Sequence, residues 1–402
     1  MIYIKPFKGT RPFNEEAKNL IAPSTDHLSI ENIEIFKKNN YWNYLKILNP
    51  VGKLKEKDSL LEARFHFDEM KKNNVIKQDF KNNFYIYQID FFDHTQLGFL
   101  SLASLDDFKN RKIKVHEKIY SNRMKERADQ MLNINTQIGP IYVSYPYNNE
   151  IENLLKSHIN KIPDYDFKSF DKSNHKLWCI EDKDFQKILQ EEFLNIESLY
   201  ICDGHHRMGA MNLISNIYKT KNKNFDYVMI AAFPSNQSKI YDYNRVVKDL
   251  NGLSENEFIK ILSQNFIVNF EDKAFKPIIK NQFGMYHENK WYSLDFKKNI
   301  VSENILDNLD INILNNYCLR PFLNIKDVNN DERIRFIAGC HGLEALEHKV
   351  NENNDSVAFS IFPCEISDVM KVADSNQTMP PKSTWFDPKP LDGLVVYEFD
   401  QD

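Results

Sequence analysis

Apolar residues occur along the chain in short continuous runs and, elsewhere, at helical spacing. Runs such as YVMIAAF at 227–233 predict buried strands, whereas charged stretches with apolar residues every three or four positions predict helices. Predicted strands cover 84–90, 97–102, 141–145, 177–180, 199–202, 227–233, 333–339 and 357–362, and predicted helices cover 110–132, 149–159, 185–193, 255–264 and 342–349. A hairpin at 285–292 is predicted to be peripheral. Because strands and helices alternate, we expect a mixed α/β (α+β) fold.

The chain has 402 residues, more than the roughly 250–300 residues that a single hydrophobic core supports. We therefore expect two lobes, an N-terminal one over 1–235 and a C-terminal α/β lobe over 236–402. No internal repeat or low-complexity segment interrupts them.

Composition and charge narrow the class of protein. With 42% hydrophobic and 27% charged residues, the chain has the composition of a globular protein. A net charge of −5 argues against a nucleic-acid partner, and the sequence contains no apolar run of the roughly 20 residues that a membrane span needs. Five scattered cysteines without a Cys-x-x-Cys pair indicate neither a zinc site nor a disulfide framework. A cytoplasmic location is the expectation.

One stretch concentrates chemistry at the end of a predicted strand. The apolar run at 199–202 is followed by a strand-to-helix turn with the residues Asp203, Gly204, His205, His206 and Arg207. Cations at a helix N-terminus do not favour helix stability, since that end already carries partial positive charge, but they do favour an anion. Asp203 adds a carboxylate that can accept a proton, orient a histidine or hold a metal. The alternative is a plain helix cap beside surface histidines.

The stretch Asp-Gly-His-His-Arg after an apolar strand resembles the signature of the ParB/sulfiredoxin-like superfamily, which includes free-serine kinases. From about residue 11 to residue 397, the chain is similar to the bacterial domain of unknown function 1015 family. This resemblance implies a ParB/sulfiredoxin-like core, with Asp203, His205 and His206 as catalytic residues and Gly204 and Arg207 as phosphate-binding residues.

Further candidates lie far from this stretch in the sequence. The resemblance matches a family His-Glu pair to His116 and Glu117, which are predicted to lie near the start of the helix at 110–132. They are a candidate catalytic pair, with Glu117 or Asp203 as the base, and a solvated helix face is the alternative. It also matches Pro23 and Asp26, and the segment 242–252 that contains Arg245, for which a salt bridge is the simpler interpretation.

A proline-stiffened loop at 379–389 presents basic and hydroxyl side chains. Its candidate phosphate-binding residues are Lys382, Ser383 and Thr384, with Lys389 as a further donor and Trp385 as a stacking surface for a base. The alternative is a structural loop. If it is a lid, we expect His116 and Glu117, the 203–207 stretch and Lys382 with Ser383 to meet in one cleft.

These residue types suit phosphoryl transfer, which needs cations and N–H donors on phosphate oxygens and a carboxylate near the attacking hydroxyl. The resemblance implies a small-molecule substrate and a nucleotide, ADP or ATP with magnesium, and a serine kinase-like reaction on a small hydroxy amino acid. Asp203 or Glu117 is the candidate magnesium ligand. No P-loop or kinase-type glycine-rich loop occurs.

Three alternatives stay open. One is a phosphoserine phosphatase-type hydrolase with the same site, and another is a non-catalytic ParB-like protein that binds a nucleotide or nucleic acid. The third is a sulfiredoxin-like redox enzyme, which would want a cysteine where His205 stands. Cys202 itself is interpreted as a small core residue.

Overall fold

The computed structural model describes residues 1–13, 17–22, 30–48, 56–218, 222–298, 302–352 and 356–400. They form two compact units, one comprising 1–238 with 388–402 and the other comprising 239–387. The mixed α/β class predicted from the sequence is confirmed. Among the described helices, none has the length and apolar character needed to cross a membrane.

The first unit is built from twelve strands and nine α-helices up to residue 234, counted over the described residues. The strands are β1 Ile4–Lys5, β2 Thr10–Pro12, β3 Ile76–Gln78, β4 Phe84–Phe91, β5 His94–Ser104, β6 Ile113–Lys114, β7 Thr136–Gln137, β8 Ile141–Tyr145, β9 Tyr165–Lys168, β10 Asn174–Ile180, β11 Leu199–Asp203 and β12 Tyr227–Pro234. The helices are α1 Ala17–Leu20, α2 Ile30–Asn39, α3 Leu45–Leu48, α4 Glu56–Lys72, α5 Leu105–Lys109, α6 Ser121–Ile134, α7 Asn149–His158, α8 Lys183–Leu194 and α9 His205–Tyr218. Short 3-10 turns occupy Lys223–Asp226 and Ser235–Gln237.

A nine-stranded mixed sheet forms the centre of this unit. Its strand order is β6-β11-β8-β12-β5-β4-β10-β9, and β1 pairs with β5. The predicted pairing of β4 with β5 is confirmed, with Tyr85 opposite Leu100. Two neighbouring pairs, β6 with β11 and β8 with β12, run parallel. Every residue of β8 is buried, as expected for a continuous apolar run with both faces of the sheet covered.

The single helix predicted over 110–132 is wrong in its first half. Ile113 and Lys114 instead form β6, which pairs in parallel with Leu199 and Tyr200 of β11. Helix α6 begins only at Ser121. His116 and Glu117 therefore lie in an irregular segment that follows β6. Because they are not in a helix, the alternative interpretation of these residues as a solvated helix face is wrong. Strand pairing, which depends on residues far along the chain, has overridden the local helical pattern.

The second unit has its own antiparallel sheet. Its strands are β13 Ile240–Tyr241, β14 Tyr243–Val247, β15 Phe266–Glu271, β16 Gln282–His287, β17 Lys290–Phe296, β18 Ile334–Ala338, β19 Val357–Ile361 and β20 Trp385–Phe386. Its helices are α10 Glu255–Leu262, α11 Asp310–Leu314, α12 Glu344–Asn351 and α13 Ile366–Asp374, with 3-10 turns at Ile305–Asn308 and Gly339–His341 and a π turn at Asn315–Leu319. The main sheet has the order β15-β17-β16-β19-β14-β18.

The hairpin predicted at 285–292 is present as β16 and β17, but it is not peripheral. Strand β16 pairs with β17 on one side and with β19 on the other. Phe283 and Met285 of β16 and Leu294 of β17 belong to the buried core of the unit. Their apolar side chains therefore pack in the hydrophobic core of the second unit.

The last described segment, 388–400, packs within the first unit. Its strand β21, Tyr397–Glu398, pairs antiparallel with β7. Upstream, the backbone N–H of Leu391 donates to the hydroxyl of Tyr87 at 3.2 Å, and that hydroxyl also bonds Nδ1 of the buried His175 at 2.7 Å. These anchors fix Lys389 and Asp392, which lie on either side of Leu391.

Candidate active site

The turn between β11 and α9 is shaped by a bulge and a glycine. The register between β11 and β8 shifts between Ile201 and Asp203, and such bulges re-aim side chains at the ends of strands. Gly204 follows with φ of +96°, a conformation that a Cβ disfavours. Helix α9 begins at the next residue, His205. The turn therefore places a carboxylate directly before a helix N-terminus.

Asp203 lies in a chain of four alternating charges. Its Oδ1 is 3.0 Å from Nζ of Lys389, and its Oδ2 accepts a hydrogen bond from Nη2 of Arg207 at 2.8 Å. Nη1 of Arg207 in turn donates to Oδ1 of Asp392 at 3.0 Å. All four side chains are between 15% and 32% exposed. Two cations and two anions balance one another here.

The ion pairs fix the charge state of Asp203. Burial opposes ionisation of this carboxyl, but the charges of Lys389 and Arg207 outweigh it and hold its pKa well below the usual range. Burial raises the pKa of Asp392, although Arg207 acts in the opposite direction. Both oxygens of Asp203 already contact cations, so this carboxylate is an electrostatic anchor and a poor proton acceptor.

The parallel pairing of β6 with β11 brings a second set of residues to the same place. Parallel strands end at the same edge of a sheet, so the segment after β6 lies beside the segment after β11. Oε2 of Glu117 is 3.5 Å from Nδ1 of His205. The rings of His116 and His205 meet edge to face, with centroids 4.6 Å apart. The structure thus brings Glu117 and His116 to the 203–207 stretch.

The histidines of the site are neutral near pH 7. Burial lowers the pKa of His205 to about 4 and that of His116 to about 3. Burial and the charge of Arg123 lower the pKa of His206, and its Nε2 accepts the backbone N–H of Tyr120 at 3.3 Å. The two histidines of α9 are therefore not the cations that the sequence pattern suggested, and Arg207 is balanced by two aspartates.

Glu117 is the carboxylate of this site that is open to a substrate. Its side chain is 42% exposed, and among the described residues no lysine or arginine forms an ion pair with it. The neutral ring of His205 can orient it by donating from Nδ1. A base of this kind beside a helix N-terminus suits proton removal from a hydroxyl that attacks an anionic group.

A family model described as protein of unknown function (DUF1015) matches residues 4–312. The chain belongs to the DUF1015 family. Similar solved structures include C-terminally truncated SbnI from Staphylococcus aureus, with 12% identity over 73% of this chain and 85% of that chain and a TM-score of 0.39. A conserved hypothetical protein from Pyrococcus furiosus has 14% identity over 75% of this chain and 96% of its own, with a TM-score of 0.34. Free serine kinase in complex with AMP has 15% identity over 73% and 92%, with a TM-score of 0.34. No curated protein matches the sequence.

Sequence reasoning missed several residues around the site of this DUF1015 protein. Asp392 lies in no recognisable sequence motif, and only its ion pair with Arg207 shows that it belongs to the site. Arg123 and Arg127 of α6 were hidden within a charged helix, although their spacing of four residues places them on one helical face. Lys389, foreseen as a donor from the proline-rich loop, contacts Asp203.

The candidates Arg245, Lys382, Ser383 and Thr384 belong to the second unit of the DUF1015 protein. Arg245 is fully buried, donates to the carbonyl oxygen of Lys382 at 2.9 Å and stacks over the ring of Phe336. Burial lowers its pKa to about 9. In this environment Arg245 supports the loop that contains Lys382. A fully buried side chain does not suit the predicted contact with a phosphate.

The loop itself has local contacts. Lys382 Nζ donates to the hydroxyl of Tyr243 at 3.3 Å, and Ser383 Oγ donates to the carbonyl oxygen of Pro380. The convergence of this loop with Glu117 and Asp203 stays a prediction. Pro23 and Asp26 lie outside the described residues.

Cys202 is a core residue of this DUF1015 protein. It is buried, and burial together with the charge of Asp203 raises the pKa of its thiol well above the ordinary value. A thiol in that state is a weak nucleophile, which argues against sulfiredoxin-like chemistry at this position.

Proposed function

We propose that this protein transfers a phosphoryl group between a nucleotide and the hydroxyl of a small amino acid, as a serine kinase-like phosphotransferase. The observation that supports this reaction best is the placement of Glu117 against His205 at the first residue of α9. An open carboxylate lies there beside an end of a helix that attracts anions. Phosphoryl transfer requires this combination of a base and positive potential.

Glu117 is the proposed general base. It accepts the proton of the attacking hydroxyl while the oxygen forms its bond to phosphorus and the bond between phosphorus and the nucleotide's bridging oxygen breaks. The electron pair of that bond goes to the leaving nucleotide, which gains the negative charge. His205 keeps the carboxylate oriented by donating from Nδ1. In the opposite direction, protonated Glu117 returns the proton to the serine oxygen as it leaves phosphorus.

Asp203 has a supporting role in this proposal. Its carboxylate holds Lys389 and Arg207 at fixed positions next to the start of α9. Rigid charges of this kind stabilise developing negative charge without having to reorganise during the reaction.

Magnesium fits the site as a partner of the nucleotide. Among the described residues, no group of three His, Cys, Asp or Glu side chains could hold a metal ion alone. Mg²⁺ in phosphoryl-transfer enzymes commonly needs only one or two carboxylates, with phosphate oxygens and water completing its shell. Glu117, which pairs with no lysine or arginine in the part of the chain that the structure describes, would hold the ion through the carboxylate oxygen that does not take the proton, and bound Mg²⁺ would neutralise phosphate charge.

The choice of serine or phosphoserine as substrate rests on the resemblance of the 203–207 stretch to free-serine kinases. The test is direct. The purified protein is incubated with serine, magnesium and either ADP or ATP, and phosphoserine is followed by ³¹P NMR. We expect phosphoserine to form with one of these nucleotides and Glu117→Gln to abolish most of the rate.

Two results would redirect the assignment. Release of inorganic phosphate from phosphoserine without nucleotide would identify a phosphatase-type hydrolase that uses the same base. Nucleotide binding without any turnover of serine, threonine or their phosphates would identify a non-catalytic binding protein and overturn the proposal. Glu126→Gln, which changes an exposed carboxylate of α6, serves as the matched control.

A further inference from the structure

The segment 388–392 supplies two charges of the candidate active site, and two side chains of the central sheet hold its backbone. Nε2 of Gln96 donates to the carbonyl oxygen of Pro388 at 3.0 Å. The hydroxyl of Tyr87 accepts the backbone N–H of Leu391 at 3.2 Å. Both side chains are buried. The segment is therefore held at its first residue and again three residues later.

Tyr87 belongs to a longer chain of hydrogen bonds within the first unit. Its hydroxyl bonds Nδ1 of His175 at 2.7 Å, and Nε2 of the same ring bonds Oγ of Ser173 at 2.6 Å. Oγ of Ser173 in turn donates to Oδ1 of Asp171, which also accepts the backbone N–H of Ser173 at 3.0 Å. Tyr87 lies on β4 and His175 on β10, its antiparallel neighbour. Four side chains thus connect a carboxylate before β10 with the backbone of Leu391.

The protons of this chain are arranged in one direction. A carboxylate only accepts hydrogen bonds, so the single proton of the Ser173 hydroxyl points to Asp171. The serine oxygen then accepts from Nε2–H of His175. Because burial lowers the pKa of His175 to about 4, its Nδ1 carries no proton near pH 7 and accepts from the hydroxyl of Tyr87. Every group accepts from the side of Leu391 and donates toward Asp171, an arrangement in which each bond strengthens the next.

The middle of the chain lies in the interior of the first unit. Tyr87, Ser173 and His175 are all buried. The ring of His175 stacks on the rings of Tyr87 and Phe167, with the centroids of each pair 5.8 Å apart. A buried polar network whose members are all satisfied is rigid. The sheet therefore fixes the hydroxyl of Tyr87 independently of the segment that it holds.

The charges of the segment depend on this support. Nζ of Lys389 lies 3.0 Å from Oδ1 of Asp203, at the end of a flexible four-carbon side chain. Asp392, the residue after Leu391, accepts the hydrogen bond of Arg207 at 3.0 Å. A shift of about 1 Å in the backbone would change both contacts, and a misplacement of that size can cost a reaction about 10²-fold in rate.

We infer that Tyr87 and His175 are positioning residues of the candidate active site. Through the backbone of Leu391 they fix the charges of Lys389 and Asp392 before a substrate binds. Charges held in advance stabilise a transition state without reorganising, so loss of the support should lower kcat and leave KM nearly unchanged. The inference rests on the proposed function for this kinetic effect, whereas the support of the segment does not depend on which reaction takes place.

The experiment compares Tyr87→Phe with the matched control Tyr85→Phe. Tyr85 lies two residues earlier in β4, on the same face of the sheet. Its buried hydroxyl also accepts a backbone N–H, from Gly9 at 2.7 Å, and donates to Asp79 at 2.8 Å. Because each variant loses one buried hydroxyl with two partners, we expect similar decreases in melting temperature. Hydrogen–deuterium exchange in peptides that cover 388–392 should become about tenfold faster in Tyr87→Phe and change less than twofold in Tyr85→Phe.

The kinetic measurement follows phosphoserine formation in the same variants. We expect kcat of Tyr87→Phe to fall at least tenfold while KM for serine and for the nucleotide stays within twofold, and Tyr85→Phe to keep kcat within twofold of the wild type. His175→Leu, which can form neither bond of the imidazole ring, should act in the same direction as Tyr87→Phe. Full kcat in His175→Leu would overturn the role of His175.

The two measurements separate this inference from the proposed function. If exchange in 388–392 is the same in Tyr87→Phe and Tyr85→Phe, the inference is wrong, whatever reaction the protein catalyses. It is also wrong if exchange is faster only in Tyr87→Phe but both variants have the same kcat. If exchange responds as expected while the wild-type protein forms no phosphoserine, the positioning of the segment stands and the kinase assignment fails.

Discussion

Arg207 donates a 3.0 Å hydrogen bond to Asp392, a residue 185 positions later in the chain. The same guanidinium group contacts Asp203 at 2.8 Å. One side chain of α9 thus connects the end of β11 with the segment that returns from the second unit. Because two aspartates balance its charge, Arg207 stabilises the local structure of the site more than it attracts a ligand.

We predict that Arg207→Gln lowers the free energy of unfolding by about 2 kcal/mol. The substitution leaves Asp203 and Asp392 close together without the cation that separates them, and their side chains are only partly exposed, at 32% and 27%. Urea denaturation followed by circular dichroism measures the change. Lys125→Gln, at an exposed position of α6, is the control and should stay within about 0.5 kcal/mol of the wild type. A variant as stable as the control would show that the two ion pairs contribute nothing.

A second prediction concerns Gly139, which precedes β8. A Cβ at this position would lie 2.2 Å from both Nη1 of Arg207 and Oδ1 of Asp392. Gly139→Ala should therefore force the ion pair apart and destabilise the protein by about 1–3 kcal/mol. Denaturation of Gly139→Ala in the wild type and in an Asp392→Ala background tests the cause. The cost should shrink in the second background, and an equal cost in both would show that the contact with Asp392 does not cause the destabilisation.

Much of the first unit follows from the sequence. The buried strands β8 and β12 are continuous apolar runs, and α7 and α8 have clear helical spacing, so local pattern and tertiary environment agree. The segment before α6 shows where such reasoning fails. Strand β6 is two residues long and is defined by its pairing with Leu199 and Tyr200, a partner that no local window contains.

The site was predictable only in part. The 203–207 stretch combines unusual residue types in one place, so it is visible in the sequence. The charge state of that stretch was not visible in the sequence. The histidines are neutral because they are buried, and the positive charge of Arg207 is balanced by Asp392, which lies far along the chain. Arg123 and Arg127 differ from ordinary surface arginines only in lacking acidic partners among the described residues. This difference depends on the folded structure and leaves no mark in the sequence.

The third prediction tests whether Glu117 is the general base. Glu117→Gln should lower kcat by roughly 10²–10⁴-fold, the usual contribution of general base catalysis, while stability changes little because the side chain is 42% exposed. Phosphoserine formation under saturating substrate measures the effect. Asp203→Asn should lower kcat too, but it should also lower the melting temperature, since both oxygens of Asp203 contact cations. A Glu117→Gln enzyme with full activity would mean that the base lies elsewhere.

The last prediction concerns acid. An unfolded histidine has a pKa near 6.5, whereas burial lowers the pKa of His205 to about 4 in the folded protein. The unfolded state therefore binds a proton that the folded state does not, and His205 lowers stability as pH falls from about 6.5 toward 4. This one group should remove up to roughly 3 kcal/mol across that window. His116 and His175 act in the same direction, so the wild type alone does not isolate His205.

Comparison with His205→Gln isolates the contribution, because glutamine does not titrate. Urea denaturation at pH values between 7 and 4 should give a shallower loss of stability for this variant than for the wild type. The titration of Asp203 does not affect this comparison of pH profiles. Its pKa is lowered below the ordinary value near 3.9, so its stabilising contribution is complete above that value and is lost only at lower pH. Parallel pH profiles for the two proteins would show that folding does not change the pKa of His205. A shallower loss of stability for the wild type than for the variant would show that the folded state binds the proton first, and the proposed role of His205 as a neutral donor to Glu117 would then be wrong.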